Sequence, residues 1–128
     1  MSFKYLIDSE NKIVYLRIVG PLTKDLEVQV FKDLISAPNW KKNFNILEDI
    51  TQVDKVTLSY GDIVAIVDEQ ANLQEKGLFN AKLAIVDPLD SLHFIGRIWQ
   101  QLGKSRKIDI GFYRKKKEAI KWLNGDLT

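Results

Sequence analysis

The order in which strand-like and helix-like segments follow one another constrains this chain more than any other feature of its sequence. Five short apolar segments have the pattern of strands, at residues 3–8, 13–19, 44–49, 81–86 and 108–113. Four segments have the helical spacing of apolar residues, one between Thr23 and Pro38 and the others at residues 60–75, 92–102 and 116–123. The order β, β, α, β, α, β, α, β, α predicts a single α/β domain over residues 1–128, with an antiparallel N-terminal hairpin and right-handed crossovers between parallel strands.

The segment boundaries fall at residues that favour turns and helix caps. We expect Gly20-Pro21 to end the second strand, and we expect a polar loop between Asp49 and Tyr60. Thr23 can cap the first helix, and Gly103 is expected to end the third.

Polarity alternates along the strands, which indicates that the two faces of the sheet differ. The more apolar set of alternate positions in the first, second and last strands comprises Phe3, Tyr5, Ile7, Val14, Leu16, Ile18, Ile108, Ile110 and Phe112. Strands buried by helices on both faces usually lack such alternation. We therefore expect helices mainly on the apolar face and water on part of the other.

The composition of the chain limits the kinds of catalytic, metal and nucleic-acid sites that it can contain. The chain has no cysteine and a single histidine, His93, so thiol nucleophiles, thiolate metal sites and multi-histidine metal sites are excluded. The net charge of +2 does not by itself argue for nucleic acid. Residues 104–128 hold eight basic and three acidic side chains. A solvated basic edge is the simpler interpretation and contact with nucleic-acid or lipid phosphates the alternative; we expect no nucleic-acid partner.

The sequence also bears on location. Asp8 and Glu10 precede any long apolar run, which is unlike a secretory leader. No stretch of about 18 uncharged apolar residues occurs, so we expect a protein that is not integral to a membrane. We predict a cytoplasmic location.

Four runs along the chain follow a family pattern: FNILEDI at residues 44–50, LSYGDI at 58–63, KLAIVDP at 82–88 and EAIKWL at 118–123. With the order of elements, they resemble the SpoIIAA-like group of STAS domains, most of all its STAS/SEC14-like subgroup. The resemblance implies a SpoIIAA-like α/β fold, with a mixed, mostly parallel five-stranded sheet, an N-terminal antiparallel hairpin strand and about four helices.

Ser59 is the first candidate functional residue. In anti-sigma antagonists of this family a serine at the start of the helix after the third strand is phosphorylated, and Ser59 is the nearest position here. Leu58-Ser59-Tyr60-Gly61 replaces the usual Asp-Ser-Ser/Thr-Gly run. The structural alternative is a helix cap, in which the Ser59 hydroxyl accepts from the N3 backbone N–H and the Asp62 carboxylate reaches back.

Carboxylate pairs offer little for catalysis. Glu48 and Asp49 are adjacent on a strand and therefore point to opposite faces. Asp49, near the carboxyl end of a parallel strand, is the best placed for contact with a ligand. No P-loop, dinucleotide-binding glycine motif, nucleophile elbow or zinc signature appears. We expect no catalytic residues, no metal and no cofactor, with the polar side chains serving in caps and solubility.

Two functional hypotheses follow. The first is a non-catalytic module that acts through protein contacts and is a candidate homodimer. The second is a carrier or sensor of a lipid-like small molecule, held in a cleft between the second and third helices. The residues of that candidate cleft are Tyr60, Ile63, Val67, Phe94 and Ile98. Ordinary core packing explains the same residues and is the interpretation we favour.

Overall fold

Strands and helices alternate in the computed structural model, which describes residues 3–90 and 92–125. The strands are β1 (Phe3–Asp8), β2 (Ile13–Thr23), β3 (Asn45–Thr57), β4 (Leu83–Val86) and β5 (Ile110–Tyr113). The helices are α1 (Lys24–Ile35), α2 (Tyr60–Glu75), α3 (His93–Ser105) and α4 (Lys116–Leu123). This order of elements is the one that the sequence predicts.

The five strands form one sheet in the order β1-β2-β3-β4-β5. β1 pairs with β2 in antiparallel fashion, and the other three pairings are parallel. Because the parallel strands are added in one direction along the sheet, right-handed crossovers place their connecting helices α1, α2 and α3 on the same face. The mixed, mostly parallel sheet with a hairpin strand is confirmed.

The two faces of the sheet are covered unequally. On the first face, the strand residues Leu16, Ile46 and Ile85 lie in a large core with residues of α1, α2 and α3, including Trp99. On the second face a smaller core forms beneath α4, which packs on β3, β4 and β5. The β1–β2 half of that second face holds exposed side chains, as the alternating pattern predicts.

The second and third strands run further than the sequence suggests. β2 continues through Gly20-Pro21 to Thr23, and β3 continues through the expected loop to Thr57. Their pairing shifts register twice, after Arg17 and after Gly20. A bulge tolerates proline, which cannot donate to the ladder, and Gly20 adopts φ +88°, so the strands remain paired where we expected a break.

The helix ends follow local chemistry. The Thr23 hydroxyl accepts a hydrogen bond from the Leu26 backbone N–H at 3.1 Å, which confirms the predicted cap of α1. Gly103 does not end α3, which continues to Ser105. A Cβ at Gly103 would lie 2.7 Å from Ile110 Cδ1, so this glycine allows close packing of α3 on β5. Among the described residues, no helix is both long and apolar enough to cross a membrane.

Candidate functional site

Ser59 begins α2 with a reciprocal pair of hydrogen bonds. Its hydroxyl accepts from the Asp62 backbone N–H at 3.1 Å, and the Asp62 carboxylate accepts from the Ser59 backbone N–H at 3.0 Å. This is the predicted capping box, and it satisfies two backbone donors at the helix start. Ser59 is exposed, so its hydroxyl is accessible even while it caps the helix.

Large apolar side chains surround this edge of the sheet. Tyr60, in the first turn of α2, is 59% exposed, and Phe94, in the first turn of α3, is 69% exposed. Leu89, in the loop between β4 and α3, is also exposed. Because α2 and α3 both begin beyond the carboxyl ends of parallel strands, these three residues lie on the same edge as Ser59. We call Tyr60, Leu89 and Phe94 the carboxyl-edge cluster.

The five residues of the candidate cleft occupy two levels. Tyr60 and Phe94 are exposed at the helix starts, whereas Ile63 and Val67 are completely buried in the main core. Ile98 is half-buried against the same core. An apolar ligand between α2 and α3 would have to displace core contacts beneath the two aromatic side chains, and this cleft stays a prediction.

Asp49 lies on the second face of the sheet. Its Oδ2 is 3.4 Å from Arg17 Nη2, and its Oδ1 accepts a hydrogen bond from the Thr51 backbone N–H at 2.8 Å. It pairs with Val86, the last residue of β4, although β3 itself continues. Asp49 contributes to a shallow groove of about 240 Å³ that also contains Leu6 and Tyr15. Glu48 points to the opposite face, as expected.

A polar pocket of about 240 Å³ lies beyond the carboxyl ends of β4 and β5. Arg97, Gln100 and Arg114 contribute to its lining. Buried Asp87 also contributes to the lining, and its carboxylate accepts a hydrogen bond from the Leu92 backbone N–H at 2.9 Å. The His93 side chain lies outside what the structure describes.

Glu27 of α1 and Glu48 of β3 form a buried carboxyl pair that we did not predict. Both residues are completely buried, and none of their four oxygens accepts a hydrogen bond from another described donor. The two carboxyl groups can hydrogen-bond to each other only if one of them carries a proton, because an ionised carboxylate has no donor. This finding corrects our expectation that the polar side chains serve only in caps and solubility.

Burial dominates the acid–base properties of this pair. It raises the pKa of Glu27 to about 7, against a smaller lowering by the hydrogen bond with Glu48. Burial also raises the pKa of Glu48 well above its usual 4.5, and the neighbouring charge of Glu27 raises it further. Neither carboxyl lines one of the pockets described above, so in this conformation the pair is closed to a substrate.

The sequence carried a signal for both glutamates. Glu27, Val30, Phe31 and Leu34 share the buried stripe of α1, at positions i, i+3, i+4 and i+7. Glu48 alternates with buried Ile46 and Ile50. Neither pattern by itself indicates that the two side chains meet, because Glu27 and Glu48 lie 21 residues apart on different elements.

Metal-ligating side chains are not grouped in the part of the chain that the structure describes. Within residues 3–90 and 92–125, no three His, Asp or Glu side chains are grouped so that they could hold a metal ion. Glu27 and Glu48 supply two carboxyls and lack a third ligand of this kind.

Comparisons with known proteins identify the type of fold. No family model matches the sequence, and no curated protein matches it either. A solved structure does match over 95% of this chain and 94% of its own: an uncharacterized protein from the DUF3478 family with a SpoIIAA-like fold, from Shewanella loihica PV-4. The TM-score is 0.58 and the sequence identity is 20%. The chain therefore has a SpoIIAA-like fold, which confirms the fold that the resemblance implied.

Proposed function

We propose that this protein is a non-catalytic, cytoplasmic binding module that recognises a protein partner through its carboxyl-edge cluster. The exposure of Tyr60 and Phe94 at the starts of two neighbouring helices is the observation that carries the proposal. Large aromatic side chains are costly to leave in water and are enriched at protein interfaces. Ser59 lies beside this cluster, and we propose that phosphorylation there would regulate the contact by adding negative charge.

The test is quantitative cross-linking in extract of the native host with the wild-type chain and a Tyr60→Ser/Phe94→Ser variant. We expect a partner that is captured by the wild type and lost with the variant. Leu78→Ser is the matched control, because Leu78 is exposed in the loop that follows the opposite end of α2. An unchanged set of captured proteins for both variants would refute the proposal.

Ser59→Asp separates regulation from folding. Aspartate is as good a helix cap as serine, so the variant should keep the stability of the wild type. It adds a negative charge beside Tyr60, and we expect weaker partner capture. Full capture by Ser59→Asp would remove Ser59 from the proposed regulation and leave the interface itself standing.

A lipid-like ligand is the second candidate function. The exposed Tyr60 and Phe94 above buried Ile63 and Val67 would provide an aromatic rim and an apolar floor if α2 and α3 moved apart. Native mass spectrometry of freshly purified protein would then show an added mass that denaturation removes. A bare protomer mass argues against this candidate, and a doubled mass would indicate that two copies associate.

A further inference from the structure

The second face of the sheet has a region beside α4 that no described helix covers, which we call the vacancy. Residues of β3 and β4 on this face, such as Leu47 and Val86, are buried near the α4 residues Ala119 and Leu123. On β1, at the far side of the same face, Leu6 is 67% exposed. One half of the face therefore carries a helix, and the other half presents an apolar side chain to water.

The vacancy comprises β1 and the part of β2 beyond Ile13, which is itself buried in the small core with α4. Two strands at their usual spacing span about 10 Å, and an α-helix with its side chains is about 10 Å across. α4 marks one border of the vacancy, where Lys116 Nζ lies 5.0 Å from the centre of the Tyr15 ring. Tyr15 is paired with Leu6 across β1 and β2, so an aromatic and an aliphatic side chain form adjacent parts of the floor.

The charges around this floor are unbalanced. Lys4 and Arg17 are directly paired across β1 and β2, and both belong to the groove on this face. Like charges directly opposite each other in an antiparallel pair are unfavourable. Asp49 offsets Arg17 only partly, at 3.4 Å, and Lys116 adds a third cation. Among the described residues that line the groove, three cations lie near one carboxylate, although Asp8 lies on the same face at the end of β1, and this excess of positive charge favours an anionic partner.

We propose that this open face, formed by Lys4, Leu6, Tyr15, Arg17, Asp49 and Lys116, is the docking site for an acidic amphipathic helix of a partner protein. The apolar side of that helix packs on Leu6 and Tyr15, and its carboxylates approach Lys4, Arg17 and Lys116. A docked helix extends the layer that α4 begins, and it relieves the repulsion between Lys4 and Arg17. The face is open and its groove shallow, which suits a helix better than an enclosed small molecule.

This surface is distinct from the carboxyl-edge cluster, so the two proposals fail separately. The probe is a fluorescent peptide of about 18 residues, five helical turns, with Leu and Ala on one side and Glu on the other. A second peptide carries Lys in place of every Glu, and a third has the acidic composition in a scrambled order. We expect binding of the first peptide alone, weakened by salt, with amide chemical-shift changes concentrated on β1 and β2.

Lys4→Glu is the decisive variant. It removes a cation from the site and replaces the like-charge pair with an opposite-charge pair, so we expect about tenfold weaker peptide binding without a lower melting temperature. Lys104→Glu makes the same change in net charge on α3, which packs against the first face, and should leave binding unchanged. Leu6→Ser should weaken binding through loss of the apolar floor.

Three results would overturn the proposal. Equal binding of the acidic and basic peptides would exclude charge recognition, and equal losses in Lys4→Glu and Lys104→Glu would indicate a non-specific effect of net charge. Vesicles of phosphatidylserine and phosphatidylcholine that bind the protein, and from which the acidic peptide cannot displace it, would identify an anionic membrane as the occupant.

Discussion

The two faces of this sheet differ in how far helices cover them, and this difference determines how an unfavourably placed charged side chain behaves. The first face, beneath three helices, contains the carboxyl pair of Glu27 and Glu48. The second face, half-covered by α4, exposes Leu6 and places Lys4 opposite Arg17. A carboxyl group that cannot reach water must bind a proton, whereas exposed cations stay charged and repel each other weakly through solvent. On the covered face, the unfavourable placement therefore raises the pKa of both glutamates. On the open face, it leaves two neighbouring positive charges that an anionic partner would neutralise.

The largest expected effect is a loss of stability as the pH rises from 4.5 through about 7. The pKa of Glu27 rises from 4.5 to about 7 on folding, so the folded state binds more protons than the unfolded state between these values. The contribution is fully present below pH 4.5 and is lost as the pH rises through 7. At about 1.4 kcal/mol per pH unit, Glu27 alone removes roughly 3 kcal/mol from the free energy of unfolding. Glu48 extends the loss to higher pH.

Urea denaturation from pH 4.5 to pH 9 measures this loss, and Glu27→Gln/Glu48→Gln is the matched variant. Glutamine keeps the shape of the side chain but cannot ionise, so the free energy of unfolding of the variant should depend much less on pH. If the wild type and the variant had parallel pH profiles, the carboxyl pair would not be buried as the structure has it.

The next effect concerns the covered half of the second face. A Cβ at Gly111 would lie 2.8 Å from Tyr113 Cε2 and 3.2 Å from Trp122 Cζ3 of α4. Gly111→Ala should therefore push α4 from the sheet and lower the free energy of unfolding by about 1–3 kcal/mol. Gly61→Ala in α2 is the control, because its nearest neighbour is Ser59 Oγ at 3.8 Å and alanine favours a helix. Equal stability of the two variants would mean that α4 is not tightly docked.

A smaller effect is expected at the start of α2. Ser59→Ala removes the hydroxyl that accepts from the Asp62 backbone N–H, and should cost about 1 kcal/mol. The melting temperatures of Ser59→Ala and of Ser59→Asp, which keeps a hydrogen-bond acceptor, are compared. The comparison separates loss of the cap from the change in side-chain size. A loss of the same size in both variants would contradict the role of the hydroxyl as a cap.

Local signals predicted much of the fold. The pattern over residues 60–75 gave α2 its observed bounds, and Ser59 with Asp62 gave its capping box. Both depend on neighbours within one helical turn, so no tertiary information is needed. The continuation of β2 through Gly20-Pro21 depends on pairing with β3 more than 30 residues away, and could not be judged from the turn residues alone.

The candidate sites likewise include features that local sequence predicts and features that depend on tertiary contacts. Glu48 could have been placed on the covered face from its alternation with Ile46 and Ile50, and Glu27 from its spacing to Val30. Their meeting could not be predicted, because it depends on how α1 packs on the sheet. The pairing of Lys4 with Arg17 depends on the register of a hairpin whose turn does not fix that register by sequence.

The smallest expected effect is a gain in stability on the open face. Lys4→Glu converts a like-charge cross-strand pair into an opposite-charge pair with Arg17, and should raise the free energy of unfolding by about 0.5 kcal/mol at low salt. Arg17→Glu is the informative contrast, because the new carboxylate would lie beside Asp49, which now accepts from Arg17 at 3.4 Å. We expect no gain from that variant, although both changes reverse one charge. Urea denaturation at low and high salt measures the difference, which salt should reduce. If Lys4→Glu were as unstable as Arg17→Glu, the repulsion across β1 and β2 would be too weak to favour an anionic partner.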